Sequence, residues 1–163
     1  NKAYNLTAIR DPIQMVRLHL LDSLAIHPYI QAGKEIIDVG TGPGLPGIPL
    51  AILNPNINFT LLDSNGKKTR FLFQAISDLS LENAREVNQR VENYQSQKPY
   101  DIVLSRAFSA ISDMLNQCDH LVSDKGFFLA MKGKNPDSEL SQITKILLSL
   151  FFELQEGFFV CHP

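Results

Sequence analysis

At 163 residues, with 44% hydrophobic and 20% charged residues, the chain has the length and composition of one ordinary globular domain, which excludes disordered, collagen-like and coiled-coil classes. A net charge of −2 excludes a protein that grips nucleic acid through bulk charge and leaves room only for a local basic patch. Cys118 and Cys161 lie far apart and match no metal-ligand spacing, so they read as free thiols of a reducing compartment. His19, His27, His120 and His162 show no ligand spacing either, and no metal is expected. The N-terminus lacks the apolar core of a secretory signal. The most hydrophobic stretch, Ile143 to Val160, is broken by Lys145, Glu153, Gln155 and Glu156, and reads as a core helix leading into a strand. A cytoplasmic protein without a membrane span is the expectation, with a monomer as its simplest state. The chain opens on Asn1 in a polar segment that reads as the interior of something longer.

Asp11-Pro12-Ile13-Gln14 opens the first element with an N-cap acid, a proline at the first helical position and a Gln able to close a capping box. Ile13, Val16, Leu20 and Leu24 recur at helical spacing, widened by Leu21 and Ala25, and predict a buried apolar face on a helix ending near Ile26. From there short apolar runs alternate with helical patterns. Ile36 to Val39 is a strand, Ile48 to Leu53 continues a helix that Asn54-Pro55 stops, and Asn58 to Leu62 is a second strand. Lys67 to Leu79 is a helix with Phe71, Leu72, Ala75, Ile76 and Leu79 on one side. Strands near Ala84 to Val87, Asp101 to Leu104 and Phe127 to Met131 follow, with a helix around Ile111 to Cys118. This alternation calls for a doubly wound, mostly parallel α/β sheet covered on both faces. Residues 1–163 are read as one domain, with an N-terminal helical part over 1–34 and a Rossmann-like core over 35–163.

In such sheets ligands bind outside the carboxyl ends of the strands. The first strand ends in Asp38-Val39-Gly40-Thr41-Gly42-Pro43-Gly44-Leu45, where glycines let the backbone turn tightly beside a ligand. Gly42, Gly44 and Gly47 also satisfy the dinucleotide pattern G-x-G-x-x-G, but in that register the first glycine comes late, after the apolar strand has ended at Val39. Asp38 carries more weight. A carboxylate in the last turn of the strand is unfavourable beside a pyrophosphate, whereas S-adenosylmethionine carries an ammonium and a sulfonium and no phosphate. A glycine-rich turn that merely packs a helix on a strand is the plainer alternative. Asp63, about twenty residues past the loop, can accept hydrogen bonds from both hydroxyls of a ribose, or can simply cap the next helix.

The fourth strand leads into Ser105-Arg106-Ala107-Phe108, without the Asn or Asp, two prolines and aromatic of enzymes that methylate exocyclic amines. Cys118, predicted inside a helix, is a core residue rather than the nucleophile that C5 methylation of pyrimidines needs. An acceptor requiring neither deprotonation nor covalent activation remains. Guanine N7 fits, since its lone pair is free at neutral pH and proximity can supply most of the rate; a small-molecule acceptor passes the same test. Lys67, Lys68, Arg70, Arg106, Lys132 and Lys134 all follow carboxyl ends of strands. Arg106 and Lys132 read as functional, and Lys68 and Lys134 as solvated surface.

With these residues in place, the chain resembles the bacterial ribosomal RNA small subunit methyltransferase G family, once named glucose-inhibited division protein B. The resemblance rests on Asn1 to Thr7, His19-Leu20-Leu21-Asp22-Ser23, Asp38 through Pro49, Leu61-Leu62-Asp63-Ser64, Ser105 to Phe108 and Met131-Lys132-Gly133, all in family order. It implies a class I S-adenosylmethionine-dependent fold, with S-adenosylhomocysteine as product, and methylation of a guanine N7 in a loop of 16S ribosomal RNA, free or within the small subunit. It implies cofactor contacts at Gly40, Leu45, Val91, Glu92 and Arg106, to which the glycine-loop reading adds Asp38, Gly42 and Asp63. Asn5, His19, Arg90, Arg106 and Lys132 become candidates for the active-site and RNA side. A loop target suits the chemistry, because A-form RNA hides N7 in a deep, narrow groove.

The sequence departs from the family pattern at both ends. It begins where an N-terminal helical segment should already have passed, and the resemblance fades after Pro136. Ile146 to Pro163 does not look like the family's closing strands, so an exposed sheet edge is expected. Two rival readings stay open: a truncated chain that keeps the fold and binds RNA or cofactor without turnover, and an NAD-linked oxidoreductase.

Overall fold

The computed structural model describes residues 6, 9, 11–31, 34–106, 110–132, 151–155 and 158–162, the last two segments as backbone only. Its centre is a seven-stranded sheet in the order β3-β2-β1-β4-β5-β7-β6. The strands are β1 (Glu35–Val39), β2 (Asn58–Asp63), β3 (Ala84–Asn88), β4 (Tyr100–Arg106), β5 (Val122–Met131), β6 (Phe151–Gln155) and β7 (Phe158–His162). The first five are parallel to their neighbours, and β7 joins β5 antiparallel. Chain order reverses between β1 and β4, which makes their carboxyl ends the topological switch point.

Both faces of the sheet are buried, which is why β1 reads as a continuous apolar run rather than an alternation. On one face Ile37, Val39, Leu62 and Val103 pack against Ile111, Met114 and Cys118 of α6 (Ile111–Cys118) and against Val91. On the other, Ile36, Phe59, Leu61, Ile102 and Leu104 meet α4 (Gly47–Leu53), Leu72 of α5 (Gly66–Asp78), Ile26 and Ile30. The strands expected between Ile36 and Met131 and the helices that connect them are present, with β2 and β4 running one and two residues further, to Asp63 and Arg106. Those extra residues bring the polar groups of interest to the sheet's edge.

The N-terminal helix departs from its expected form. It runs through α1 (Pro12–Met15), a π-helical segment (Val16–Leu21) and α2 (Asp22–Ala25), followed by the short α3 (His27–Ile30) with Pro28 in its first turn. Asp11 caps it by accepting from the Ile13 amide. The predicted apolar face is not buried: Ile13 is 72% exposed and Leu21 57%, with Val16 and Leu20 also exposed. A π-helical turn holds more residues than an α-helical one, so side chains spaced for a 3.6-residue period drift off a single face. The segment meets the core only from Ser23 onward, through Ser23, Ile26 and Ile30.

The C-terminal expectation is corrected outright. β6 and β7 form an antiparallel hairpin, Phe151 to Gln155 opposite His162 to Phe158. β7 pairs with Phe128 to Met131 of β5, so the edge of β5 is covered. The signal was missed because both strands are short and mix apolar residues with Glu153, Gln155 and His162 without a clear period, and short apolar runs do not distinguish helix from strand. The helix expected from Ile143 lies outside the described residues up to 150. Ending the chain at residue 150 should strip this edge, at a cost of about 2–4 kcal/mol from the lost ladder bonds. A lower urea midpoint and aggregation on size exclusion are the expected readouts; a monomer of unchanged stability would contradict the pairing.

Candidate active site

The loop after β1 is fastened at both ends. The Gly40 and Thr41 amides donate to the Leu62 carbonyl at 2.8 and 3.2 Å, tying the loop to β2. Gly40 (φ +69°) and Gly42 (φ +61°) both lie in the left-handed region, where a side chain would be strained. A Cβ built on Gly40 would meet nothing within 4 Å, so the backbone there faces open space.

Asp63, the last residue of β2, joins three segments. Its Oδ2 accepts from the Gly42 amide at 2.9 Å, and its Oδ1 accepts from the Asn65 amide at 2.8 Å. Lys68 of α5 approaches Oδ2 at 3.5 Å. A carboxylate offers about four acceptor sites, so Asp63 keeps capacity for a ligand's hydroxyls beside these bonds. Lys68, expected to be solvated surface, is instead its ion-pair partner, a link between residues that no local pattern displays.

A cleft of about 300 Å³ opens beside this junction. Gly40, Asp63, Lys68, Arg90, Val91 and Glu92 line it, with Gln89 and Gln117. Val91 and Glu92 sit in a 3-10 turn (Val91–Asn93) that follows β3, with Val91 buried. The structure thus gathers four of the expected cofactor residues, Gly40, Asp63, Val91 and Glu92. Arg90, expected on the RNA side, lies in the same cleft. Gln89 and Gln117 were missed, since a lone Gln on a loop or helix carries no motif.

Asp38 stands apart from the cleft. It is fully buried, and its Oδ2 accepts from the Thr41 hydroxyl at 2.6 Å and the Gly47 amide at 2.9 Å, while Oδ1 has no partner. Burial pushes its carboxyl up to about 6, only partly offset by those two bonds and by the charge of Arg106; the Asp63 carboxylate adds to the rise.

Arg106 ends β4 and pairs through Nη1 with Asp22 of α2 at 3.4 Å, which was not foreseen from sequence. Leu45 lies in the loop, partly buried, its amide donating to the Thr41 carbonyl at 3.1 Å. Gly42 is buried, its amide turned to Asp63. His19 lies in the π-helical segment and Lys132 directly follows β5. None of these five lines the cleft. Asn5, Ala107, Phe108 and Lys134 fall outside the described residues. Cys118 is the last residue of α6, not its middle. It is buried, and burial together with Glu92 pushes its thiol up to about 12, which suits a core residue and not a nucleophile. Among the described residues no three His, Cys, Asp or Glu side chains gather to hold a metal, and no helix is long and apolar enough to cross a membrane.

The model of rRNA small subunit methyltransferase G matches residues 1–158. The chain belongs to that family. The match runs beyond Pro136, where the resemblance had been expected to fade, and through the first strand of the closing hairpin. A ribosomal RNA small subunit methyltransferase G from Salmonella arizonae is 56% identical over 143 residues, which cover 88% of this chain and 69% of that protein. Its namesake from Psychromonas ingrahamii is 54% identical over 145 residues, 89% of this chain and 70% of the relative. Among solved structures, a SAM-dependent methyltransferase from Aquifex aeolicus superposes with a TM-score of 0.65 at 15% identity, covering 94% of this chain and 97% of its own. A DhpI–SAH complex gives 0.63 at 15% identity, covering 99% and 90%. These likenesses show a class I methyltransferase fold. Family membership decides between the two cofactor classes that the glycine loop left open, in favour of S-adenosylmethionine.

The raised carboxyl of Asp38 makes a stability prediction for the ligand-free protein. An acid whose folded value lies above its unfolded value stabilises the fold most when protonated, below the ordinary carboxylate range, and that contribution is lost as pH rises through about 6. Asp38→Asn removes the titration. The stability of Asp38→Asn relative to wild type should therefore rise between pH 4 and pH 7.5, by up to about 3 kcal/mol. Urea midpoints at the two pH values measure it; a difference independent of pH would mean that Asp38 does not titrate in this window.

Proposed function

We propose that the protein transfers a methyl group from S-adenosylmethionine to N7 of a guanosine in a loop of 16S ribosomal RNA. The observation that carries this reading is the cleft itself. The glycine loop, Asp63 and the Val91–Glu92 turn meet at the carboxyl edge of a sheet whose family acts on small-subunit ribosomal RNA.

The residues present fit the cofactor. The partnerless, buried Oδ1 of Asp38 keeps negative potential under the loop, which suits a cationic ligand and penalises a pyrophosphate. Asp63 would take the ribose hydroxyls on its remaining lone pairs, and the backbone of Val91 and Glu92 would meet the adenine edge. Gly40 leaves the close approach open. The family resemblance assigns Arg106, Lys132, His19 and Asn5 to the acceptor and RNA side; Arg90, which lines the cleft, would serve the adenosine pocket as well. When bound, S-adenosylmethionine supplies an electrophilic methyl on a good leaving group. The protein's own work is then to hold acceptor and donor in line and keep water out, so no side chain needs to remove a proton. Neither metal nor second subunit enters such a step. We read residues 1–163 as a single S-adenosylmethionine-dependent methyltransferase domain, monomeric and cytoplasmic.

Calorimetric titration with S-adenosylhomocysteine, with NAD as control, tests the cofactor. One-site binding of S-adenosylhomocysteine alone is expected. Asp63→Ala should weaken it about 100-fold, for two charge-assisted hydrogen bonds, with circular dichroism checking that the variant folds. Binding of NAD instead would restore the oxidoreductase. Methyl transfer to unmodified small-subunit RNA, but not to mature RNA, with 7-methylguanosine in the digest, tests the acceptor. RNA binding without turnover would favour the non-catalytic reading, and transfer only to small metabolites would remove RNA from the account.

A further inference from the structure

Arg106 reaches the edge of the sheet on the same face as Asp38. Asp38 and Leu104 are register partners on β1 and β4, and the pleat returns to that face two residues later, at Arg106. The Arg106 side chain is only 19% exposed, so its stem is packed, and its charge is felt at Asp38. The guanidinium is met from the other side by Asp22, 84 residues away in sequence and 51% exposed.

A half-exposed ion pair adds little to stability. Residues 12–22 bury no side chain, so the pair does not close a core either. What it does fix is direction. Arginine has a long, rotatable stem, and an anion on one side selects one orientation of its planar fork. We propose that Asp22 is a positioning residue for methyl transfer, holding the Arg106 guanidinium over the carboxyl end of β1 on the side of Asp38. This rests on the reading of the site given above, and it gives the N-terminal helix a part in the reaction.

The charged and polar groups around Asp38 are Arg106 from β4, Asp63 from β2, Thr41 of the loop and the Gly47 amide of α4. Asp22 faces Arg106 from α2, Lys68 of α5 faces Asp63, and Lys132 follows Met131, the register partner of Arg106. Two explanations of an Asp22 effect therefore have opposite signs. If Asp22 steers Arg106, Asp22→Asn lets the cation swing away, and Asp38 titrates at higher pH. If Asp22 acts only through its own charge, removing a negative charge makes Asp38 titrate at lower pH.

The experiment compares wild type and Asp22→Asn in the full chain. It measures S-adenosylhomocysteine affinity and urea midpoints from pH 4 to 8, and single-turnover transfer to unmodified 16S RNA. The expected result is a melting temperature within about 2 °C of wild type, a transfer rate about 10-fold lower, and an upward displacement of the Asp38 midpoint in both titrations. In an Arg106→Gln background Asp22→Asn should add nothing. An unchanged rate, an unmoved or lowered midpoint, or an additive loss in the double variant would each overturn the proposal. If wild type does not bind S-adenosylhomocysteine, the cofactor reading falls, while the sign of the urea displacement still decides whether Asp22 orients Arg106.

Discussion

A carboxylate with no access to water must find donors inside the protein or give up its charge, and Asp38 is caught between the two. Two donors reach one of its oxygens, the Thr41 hydroxyl and the Gly47 amide, and none reaches the other. Thr41 belongs to the turn after β1 and Gly47 begins α4, so a single buried oxygen sets how the strand, the loop and the helix meet. Asp63 repeats the arrangement one strand over, taking amides from the glycine loop and from the start of α5. The carboxyl edge is thus built from two acids, each closing a strand-to-helix turn through backbone donors.

These acids also separate stability from function. Asp63 is well partnered and holds the loop to β2. Asp38 is underpartnered, and its burial leaves the ligand-free protein less stable above its titration than below it. Among the described residues two buried side-chain oxygens lack partners, Oδ1 of Asp38 and Oγ of Ser105, and such atoms in a native fold call for an explanation. On the proposed function, the Asp38 oxygen beneath the glycine loop suits a ligand that carries positive charge.

Most of the core could be read from the chain, because β1, β2 and β4 are apolar runs flanked by glycines, polar turns and helical patterns, and the doubly wound sheet follows from their alternation. The glycine loop and Asp63 stood out by residue type and position, whereas the Val91–Glu92 turn came only with the family resemblance; the structure brings Gly40, Asp63, Val91 and Glu92 to one cleft. The site was not legible where side chains pair outside any recognised motif, whether close in sequence, as Asp63 and Lys68, or 84 residues apart, as Asp22 and Arg106. Lys68 looked like surface until Asp63 was seen beside it, and Asp22 was only part of a motif until Arg106 reached it. The N-terminal helix misled because hydrophobic spacing assumes an α-helical period, which the π-helical turns at Val16–Leu21 break. The closing hairpin misled because Phe151–Gln155 and Phe158–His162 are too short and too irregular in pattern to declare a period.

The π-helical segment links these observations. A π-helical turn costs hydrogen-bond geometry and is kept mostly where a side chain must be re-aimed. Here it lies immediately before Asp22, and Ser23, the next residue, is the first of the segment to enter the core, its hydroxyl turned back to the His19 carbonyl. The extra width of the turns leaves Ile13, Leu20 and Leu21 outside while bringing Asp22 to Arg106. An α-helix with the same sequence would put that apolar stripe on one face and carry Asp22 around the axis with the shift in register. The exposed apolar stripe and the Asp22–Arg106 ion pair thus lie on either side of one departure from α-helical geometry, beside the carboxyl end of β4.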